Sequence, residues 1–189
     1  MLEAAKPRNE DERLAVLHAL DLLDKPKEQR FERITSIAST TFGVPIALVT
    51  LLDTDQQHFK ACVGLDIPGT ARSVSFCSHA ILQPDIMLVE DATLDPRFAD
   101  NPLVTGAPHI RFYAGAPIEV SPDIRLGTLC LIDTQPRSLN QAQQDMLRSL
   151  AAVARDELLR APAPETAEAH ESLRRWLALQ ARAQTSPSA

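Results

Sequence analysis

The sequence predicts a fold of the α/β type, more narrowly α+β, in which helices from both ends of the chain cover one face of an antiparallel sheet. Helical patterns lie near both ends of the 189-residue chain, with strand patterns between them. The run 45–52, PIALVTLL, is apolar at nearly every position, which is typical of a central strand covered on both faces. A Ser-Pro-Asp turn at 121–123 predicts a hairpin. The other sheet face is left for loops, which suits a small-molecule cavity.

Two helices precede the first strand. Glu10 to Leu23 carries a wide apolar stripe at helical spacing, and the proline of Asp24-Lys25-Pro26 ends it. The second helix ends near Gly43, and its pattern predicts that one side carries Phe31, Ile34, Ile37, Ala38 and Thr41. We therefore expect two helices at the start of the domain.

The middle of the chain predicts further strands. Residues 57–63 alternate, which predicts a half-exposed edge strand with Phe59, Ala61 and Val63 on one face. Glycines and small polar residues predict a loop over 64–75, followed by a short helix at 78–82 and a strand at 86–90. Residues 109–118 alternate again, with an apolar face of Ile110, Phe112, Ala114, Ala116 and Ile118 and an opposite face of His109, Arg111, Tyr113 and Gly115. This strand would pair with 126–132 as a hairpin.

The last part of the domain predicts a long helix. Residues 138–141, Ser-Leu-Asn-Gln, fit a capping box, and the apolar positions that follow are Met146, Leu147, Leu150, Ala154 and Leu158. We therefore divide the chain into a tail at 1–8, a domain at 9–160, a Pro/Ala linker at 161–165, an amphipathic helix at 166–183 and a disordered tail at 184–189.

Composition limits the classes of partner and compartment. A net charge of −6 with no cluster of Lys and Arg offers no footprint for nucleic acid or an anionic membrane surface. The N-terminal residues lack the apolar core of a signal peptide, and no run is long enough to span a bilayer, which favours a soluble, cytoplasmic protein. The cysteines Cys62, Cys77 and Cys130 are odd in number and widely spaced, which favours reduced thiols.

Residues 91–111 form an irregular, polar segment that would act as a lid over the sheet. Arg97, Asn101 and Arg111 could converge on an anionic ligand, since guanidinium groups suit carboxylates and phosphates. The alternative is a buried structural ion pair of Asp91 or Asp95 with one of these arginines. Asp95 also precedes a proline in a pattern that starts a helical turn.

The tripeptide Cys77-Ser78-His79 is the candidate for thiol chemistry. A nearby histidine can lower the pKa of a thiol if the backbone brings the two side chains together. The alternative for Cys77 is packing as a small buried residue. His58, His79 and His109 show no metal-ligand spacing, so no metal site is expected.

Six blocks carry a resemblance to a known family: NEDERLAVLHALDLLD, VTLLD, FKACVGLD, SFCSHAI, VEDATLDPRFADNPLVTGAPHIRFYAGAPI and LGTLCLIDTQPRSL. In this order they resemble the GAF domain family, in the form found upstream of bacterial histidine kinases and diguanylate cyclases. The resemblance covers roughly residues 9–160 and implies an antiparallel sheet of about six strands. It also implies a helical layer on one face, and a sensory pocket roofed by loops and short helices on the other. On this basis the ligand-binding candidates are Phe76, Cys77, His79, Asp91, Arg97, Phe98, Asn101, Arg111 and Tyr113.

The resemblance leaves the ligand and any cofactor unknown. Tetrapyrrole-binding members pair a cysteine with an adjacent histidine, but a serine intervenes between Cys77 and His79. Another branch reduces free methionine sulfoxide with cysteines, and its pattern does not match Cys62, Cys77 and Cys130 residue by residue. The Asn-Lys…Phe-Asp-Glu signature of cyclic-nucleotide-binding members is missing.

Three functional hypotheses follow. The first is a stand-alone regulatory module of signal transduction, which senses a small molecule or redox state. It would act through its terminal helices on a homodimer mate or on a partner in a histidine kinase or diguanylate cyclase pathway. The second is a thiol-dependent reductase of free methionine sulfoxide, in which Cys77 or Cys130 attacks the sulfoxide. The third is a ligand-free interaction scaffold whose pocket is filled by its own side chains.

Overall fold

The computed structural model describes residues 1–23 and 28–160. Its helices are α1 (Glu10–Ala19), α2 (Gln29–Phe42), α3 (Phe76–Ala80), α4 (Pro102–Thr105) and α5 (Gln141–Leu159). Its strands are β1 (Ile46–Leu52), β2 (Gln56–Val63), β3 (Gly69–Ala71), β4 (Met87–Val89), β5 (Phe112–Ser121) and β6 (Ile124–Asp133). Four predictions concern segments outside the described residues: the helix stop at 24–26, the linker 161–165, the helix 166–183 and the tail 184–189.

The six strands form one antiparallel sheet in the order β3-β2-β1-β6-β5-β4. β1 lies in the interior of this sheet and is buried at every position, because its run of apolar residues is covered on both faces. β5 and β6 form the predicted hairpin, and Asp123 in its turn has a φ of 65°, a conformation that aspartate tolerates better than most residues. The predicted α+β sheet is confirmed.

The sheet separates two hydrophobic clusters. One lies against α1, α2 and α5, with Leu17, Phe31 and Leu147 at its centre. The other lies on the opposite face, beneath α3 and residues 91–111, with Phe76 and Phe98 among its members. The arrangement predicted from the sequence, terminal helices on one face and loops with short helices on the other, is therefore confirmed.

The buried face of α2 differs from the predicted one. Its positions 31, 34, 35 and 38 follow the spacing i, i+3, i+4, i+7, and all are buried. Ile37 falls outside this arc with 53% of its surface exposed, and Thr41 is also exposed. Thr35 takes the core position because its hydroxyl donates a hydrogen bond to the Glu32 carbonyl at 3.0 Å.

β2 is not the edge strand that its pattern predicted, because β3 pairs outside it. A bulge also interrupts its alternation: Val49 is opposite Ala61 and Thr50 is opposite Phe59, so that Lys60 is the extra residue. Phe59 therefore joins the cluster beneath the lid, and Ala61 joins the cluster beneath the helices. The prediction that Phe59 and Ala61 share a face was wrong for this reason.

Several element boundaries also differ. The predicted loop 64–75 contains β3 and a 3₁₀ turn at Arg72–Val74, and α3 begins two residues earlier than predicted. β5 begins at Phe112, so Ile110 lies outside the alternation and belongs to the hydrophobic cluster on the lid side of the sheet. The capping box of α5 is formed by Asn140 and Gln143 rather than by residues 138 and 141. Met146, predicted for its apolar side, is 47% exposed.

A buried ion network joins α1 to the loop side of the sheet. The Glu10 carboxylate accepts hydrogen bonds from Arg13 at 2.9 Å and from Arg72 of the 3₁₀ turn. Arg72 also donates to the Asp53 carbonyl at 2.7 Å, at the turn between β1 and β2. Burial works against the charged form of Glu10, but the two arginines outweigh it and lower the pKa of this carboxyl to about 2.

Candidate functional site

A cavity of about 260 Å³ lies between the sheet and the loops that cover it. The sheet supplies its floor through β1, β2, β5 and β6, and α3 supplies one wall. Most of its lining is apolar, including Leu48, Phe59, Leu65, Phe76, Leu103 and Ile110. Concave, mainly apolar cavities with a few polar groups are the usual form of small-molecule sites.

A few polar groups interrupt this apolar lining. Ser75 donates a hydrogen bond to the Gln57 side chain, and its hydroxyl also accepts from the Ser78 amide as the cap of α3. The Thr70 hydroxyl is buried and has no hydrogen-bonding partner among the described residues. Asp66 lies in the same lining. These groups could bind the polar end of a ligand.

The lid-side wall is aromatic. The rings of Phe76 and Phe98 stack with their centroids 3.9 Å apart, and the centroid of the Tyr113 ring lies 5.2 Å from that of Phe76. The His79 and Phe98 rings are nearly perpendicular, with an interplanar angle of 79° and their centroids 4.9 Å apart. Phe76 and Tyr113 line the cavity, while Phe98 packs behind Phe76.

Beneath this wall, two cysteines lie in contact. The sulfurs of Cys77 and Cys130 are 3.8 Å apart, and the Tyr113 hydroxyl donates to the Cys77 sulfur at 3.3 Å. Thr50 and Thr128, whose hydroxyls are 3.1 Å apart, complete the cluster. Burial raises the pKa of the Cys77 thiol, but hydrogen bonds with the other four side chains outweigh it and lower this pKa. Burial raises the pKa of Tyr113 and of Cys130 well above their usual ranges.

Gly115 makes the position of Tyr113 possible. The two residues lie on the same face of β5, and a Cβ atom at position 115 would overlap the Tyr113 ring and hydroxyl. Because residue 115 has no side chain, the Tyr113 side chain can lie over this position of its own strand and reach Cys77. The glycine therefore shapes the thiol end of the site.

The two lid arginines are held by the protein itself. Arg97 donates to the Asp95 carboxylate at 2.9 and 2.6 Å, and its guanidinium lies 5.0 Å from the Phe98 ring centroid. Hydrogen bonds from Arg97 lower the pKa of Asp95. Arg111 donates to the carbonyls of Val104 and Ile110, both at 3.0 Å.

The other lid candidates also have structural contacts. Asn101 is buried, caps α4 by accepting from the Leu103 amide at 2.8 Å, and donates to the Val74 carbonyl at 2.9 Å. The Asp91 carboxylate accepts from Thr93, and these hydrogen bonds lower the pKa of Asp91. His79 lies 3.0 Å from the Leu2 carbonyl, and burial lowers its pKa.

The structure thus divides the nine sequence candidates. Three of them line the cavity: Phe76, Cys77 and Tyr113. The remaining six do not line it: His79, Asp91, Arg97, Phe98, Asn101 and Arg111. Sequence reasoning missed Gln57, Thr70 and Ser75, although a serine three residues before Ser78 is a recognisable helix cap. Among residues 1–23 and 28–160, no cluster of three or more His, Cys, Asp or Glu side chains could hold a metal ion.

No helix within the described part of the chain is both long and apolar enough to cross a bilayer.

Comparison with known proteins gives relatives in sequence and in structure. A cyclic di-GMP phosphodiesterase from Pseudomonas aeruginosa is 49% identical over 131 residues, which are 69% of this chain and 22% of that protein. The chain thus spans about a fifth of the length of this curated relative.

Two solved structures with a similar fold show much lower identity. The GAF domain of an Acinetobacter phosphoenolpyruvate-protein phosphotransferase has a TM-score of 0.62 at 17% identity, covering 81% of this chain and 95% of that one. A free methionine-R-sulfoxide reductase from Neisseria meningitidis has a TM-score of 0.55 at 14% identity, covering 93% and 98%. At such identities the likeness concerns the fold.

The family model described as "GAF domain" matches residues 26–158, which include all six strands and the whole lining of the cavity. The predicted resemblance is confirmed, and the chain belongs to the GAF domain family.

Proposed function

We propose that this protein is a regulatory module that senses a small molecule in the cavity beneath its lid. The observation that carries the proposal is the cavity itself, which lies between the sheet and the lid and is lined mainly by apolar side chains. GAF domains are regulatory sensing modules, and the retained cavity supports sensing by ligand binding in this member.

The lining favours a small, uncharged and largely apolar ligand. About 260 Å³ is slightly below the range of roughly 300–1,000 Å³ typical of pockets for drug-sized ligands. An anionic ligand, as first expected from Arg97 and Arg111, would have to compete with the acceptors that these guanidinium groups already contact. The Thr70 hydroxyl and the Gln57 side chain would bind the polar end of the ligand.

The output of such a module would pass through its terminal helices. Arg72 lies three residues before Ser75 in the cavity wall and contacts Glu10 of α1, so a change in this wall has a direct route to the helical face. A ligand changes the output only if it binds two arrangements of these elements with different affinity. The proposed binding site and the proposed output surface are therefore linked by described contacts.

The partner belongs to the same proposal. The relative that is 49% identical over 131 residues is a cyclic di-GMP phosphodiesterase, which supports a role in cyclic di-GMP signalling. We include in the proposal a partner from a diguanylate cyclase or histidine kinase pathway and a cytoplasmic location. A homodimer formed through the helical face is also part of the proposal. Ile37 on α2 and Met146 and Val153 on α5 are 53%, 47% and 47% exposed and are available for such a contact.

Ligand binding can be tested by filling the cavity. We expect Leu103→Trp to abolish binding of small apolar compounds that stabilise the native protein, because residue 103 lines the cavity. The compounds would be found by thermal-shift screening, and bound mass would be measured by native mass spectrometry. A ligand at a hundred times its Kd raises the free energy of unfolding by about 2.7 kcal/mol, which such a screen can detect.

Leu94→Trp is the matched control. Leu94 belongs to the same lid but is 81% exposed and does not line the cavity, so this variant should keep the affinity of the native protein. Equal binding by the native protein and by Leu103→Trp would place the ligand elsewhere and contradict the proposal.

A reductase is the second candidate function, because Cys77 lines the cavity and lies 3.8 Å from a second thiol. In that reaction the Cys77 sulfur attacks the sulfoxide, the oxygen passes to Cys77 as a sulfenic acid, and methionine leaves. Cys130 then attacks the Cys77 sulfur, the S–O bond breaks, and a disulfide and water are formed. We expect turnover of free methionine sulfoxide with an added thiol reductant to disappear in Cys77→Ala and to persist in Cys62→Ala. The absence of turnover in the native protein would exclude this function.

The third hypothesis, a ligand-free scaffold, expected a pocket filled by its own side chains. The open cavity of about 260 Å³ does not support it.

A further inference from the structure

We propose that Cys77 and Cys130 form a peroxide-oxidisable dithiol, which closes to an intramolecular disulfide beneath the ligand cavity. This inference deepens the proposed sensing function by adding a covalent site, and disulfide formation itself requires no ligand. Both side chains are buried, at 2% and 0% exposure, and neither is in a disulfide in this structure.

The geometry supplies the first requirement, which is proximity. The two sulfurs are 3.8 Å apart although the residues are 53 positions apart in the chain. A disulfide bond is about 2.05 Å long, so closure needs an approach of about 1.7 Å. Cys77 lies on the short helix α3 and Cys130 on the interior strand β6, so α3 is the element expected to move.

The surroundings supply the second requirement, which is a reactive sulfur with access. Cys77 lines the cavity and can meet a small hydroperoxide there, whereas Cys130 lies behind it. The Tyr113 hydroxyl donates to the Cys77 sulfur, which favours its thiolate form, and the pKa of Cys77 is lowered in this cluster while that of Cys130 is raised. Access through the cavity thus assigns Cys77 as the attacking sulfur and Cys130 as the resolving sulfur.

The reaction is balanced with a hydroperoxide as the oxidant. The Cys77 thiolate attacks the terminal peroxide oxygen, the O–O bond breaks, and the alkoxide or hydroxide takes a proton from solvent, leaving a sulfenic acid. The Cys130 sulfur then attacks the Cys77 sulfur and loses its proton, the S–O bond breaks, and water leaves. Overall, two thiols lose two electrons and two protons. An organic hydroperoxide is reduced to an alcohol and a water molecule, and hydrogen peroxide is reduced to two water molecules.

Disulfide formation would alter the cavity. The hydrogen bond from Tyr113 to the Cys77 sulfur would change, and Phe76, which adjoins Cys77 on α3, would move with the helix. Since Phe76 and Tyr113 both line the cavity, oxidation and ligand occupancy would influence each other.

Tryptic peptide mapping tests the proposal directly. Cleavage after lysine and arginine places Cys62, Cys77 and Cys130 on three separate peptides, 61–72, 73–97 and 126–137. The native protein is treated with a modest excess of hydrogen peroxide, remaining thiols are blocked under denaturing conditions, and the digest is analysed without reductant. We expect peptides 73–97 and 126–137 to become linked in nearly every molecule, with reversal by dithiothreitol.

The variants decide between this linkage and others. Cys62→Ala should form the linked peptide at the native rate, and Cys130→Ala should instead accumulate sulfenic acid on Cys77, detected by dimedone labelling. Linkage through Cys62 would overturn the proposal. So would a digest in which peptides 73–97 and 126–137 are both unmodified although Cys62 is fully oxidised. Because mapping uses the native, ligand-free protein, it also separates this outcome from the cavity test, in which reduced protein is assayed for ligand binding.

Discussion

Gly127→Ala is expected to unfold the domain or leave it insoluble. Gly127 lies in β6, opposite Leu51 of β1 and Ile118 of β5, in the interior of the sheet. A Cβ atom at this position would overlap the Thr50 carbonyl oxygen and lie 2.6 Å from its carbon. These are backbone atoms of the neighbouring strand, so the clash cannot be relieved by rotating a side chain. Overpacking of this kind commonly costs about 1–3 kcal/mol or more, and we expect the upper end of that range to be exceeded.

The soluble yield and the circular dichroism spectrum of the variant are measured first, and urea denaturation of any folded fraction then gives its free energy of unfolding, with Gly43→Ala as the control. Gly43 ends α2 with a φ of 60°, and a Cβ atom there would meet nothing within 4 Å. Its replacement costs only the strain of a left-handed residue, about 1–2 kcal/mol. Equal losses for the two variants would show that β6 can shift away from β1 and would contradict the packing described for the sheet.

Glu10→Gln is expected to reduce the free energy of unfolding by about 3–5 kcal/mol at neutral pH. The change removes the carboxylate that accepts hydrogen bonds from both Arg13 and Arg72, whose side chains are 1% and 8% exposed. Removing one partner of a buried ion pair is costly because the remaining charge stays buried without compensation. The variant should therefore be much less stable, while its secondary structure at low temperature stays native.

The same network predicts a pH dependence. The pKa of Glu10 is about 2 in the native protein and near 4.5 without these contacts, so the network stabilises fully above about pH 4.5. Its contribution is lost as pH falls from 4.5 towards 2, because protonation then removes the negative charge. The native protein should lose stability through this window more steeply than Glu10→Gln.

Asp85→Asn serves as the control for both measurements. Asp85 pairs with Arg148 at 2.8 Å, but its side chain is 62% exposed. Exposed pairs of this kind contribute about 0–1 kcal/mol because solvent screens them. A loss of less than 1 kcal/mol in Glu10→Gln as well would show that Arg13 and Arg72 find other acceptors, and would remove the network from the proposed route between cavity and helices.

The local sequence predicted the regular elements well where a single period applied. Apolar residues at nearly every position of 45–52 indicated an interior strand, and helical spacing indicated α1, α2 and α5. The predictions failed where the period changed, as at the bulge opposite Val49 and Thr50, because one extra residue moves every later side chain to the other face. They also failed for Ile37, since the packed arc of a helix depends on what lies opposite it.

The candidate site was predictable in its type and only partly in its members. Residues 91–111 do cover the sheet, but the hydrogen bonds of Arg97 and Arg111 go to Asp95 and to backbone carbonyls. A guanidinium group in a loop has the same local sequence signal whether it binds a ligand or a neighbouring carbonyl. Only the folded geometry distinguishes the two.

By itself, the sequence determined the family, the antiparallel sheet with helices on one face, and the presence of a lid, because these depend on patterns within short segments. The tertiary structure alone decided which side chains meet. Residues 77 and 130 come into contact, residues 10 and 72 share an ion pair, and residues 57 and 75 share a hydrogen bond in the cavity lining. Each of these contacts joins residues at least 18 positions apart, and local pattern carries no information about distances of that kind until the whole sheet is assembled.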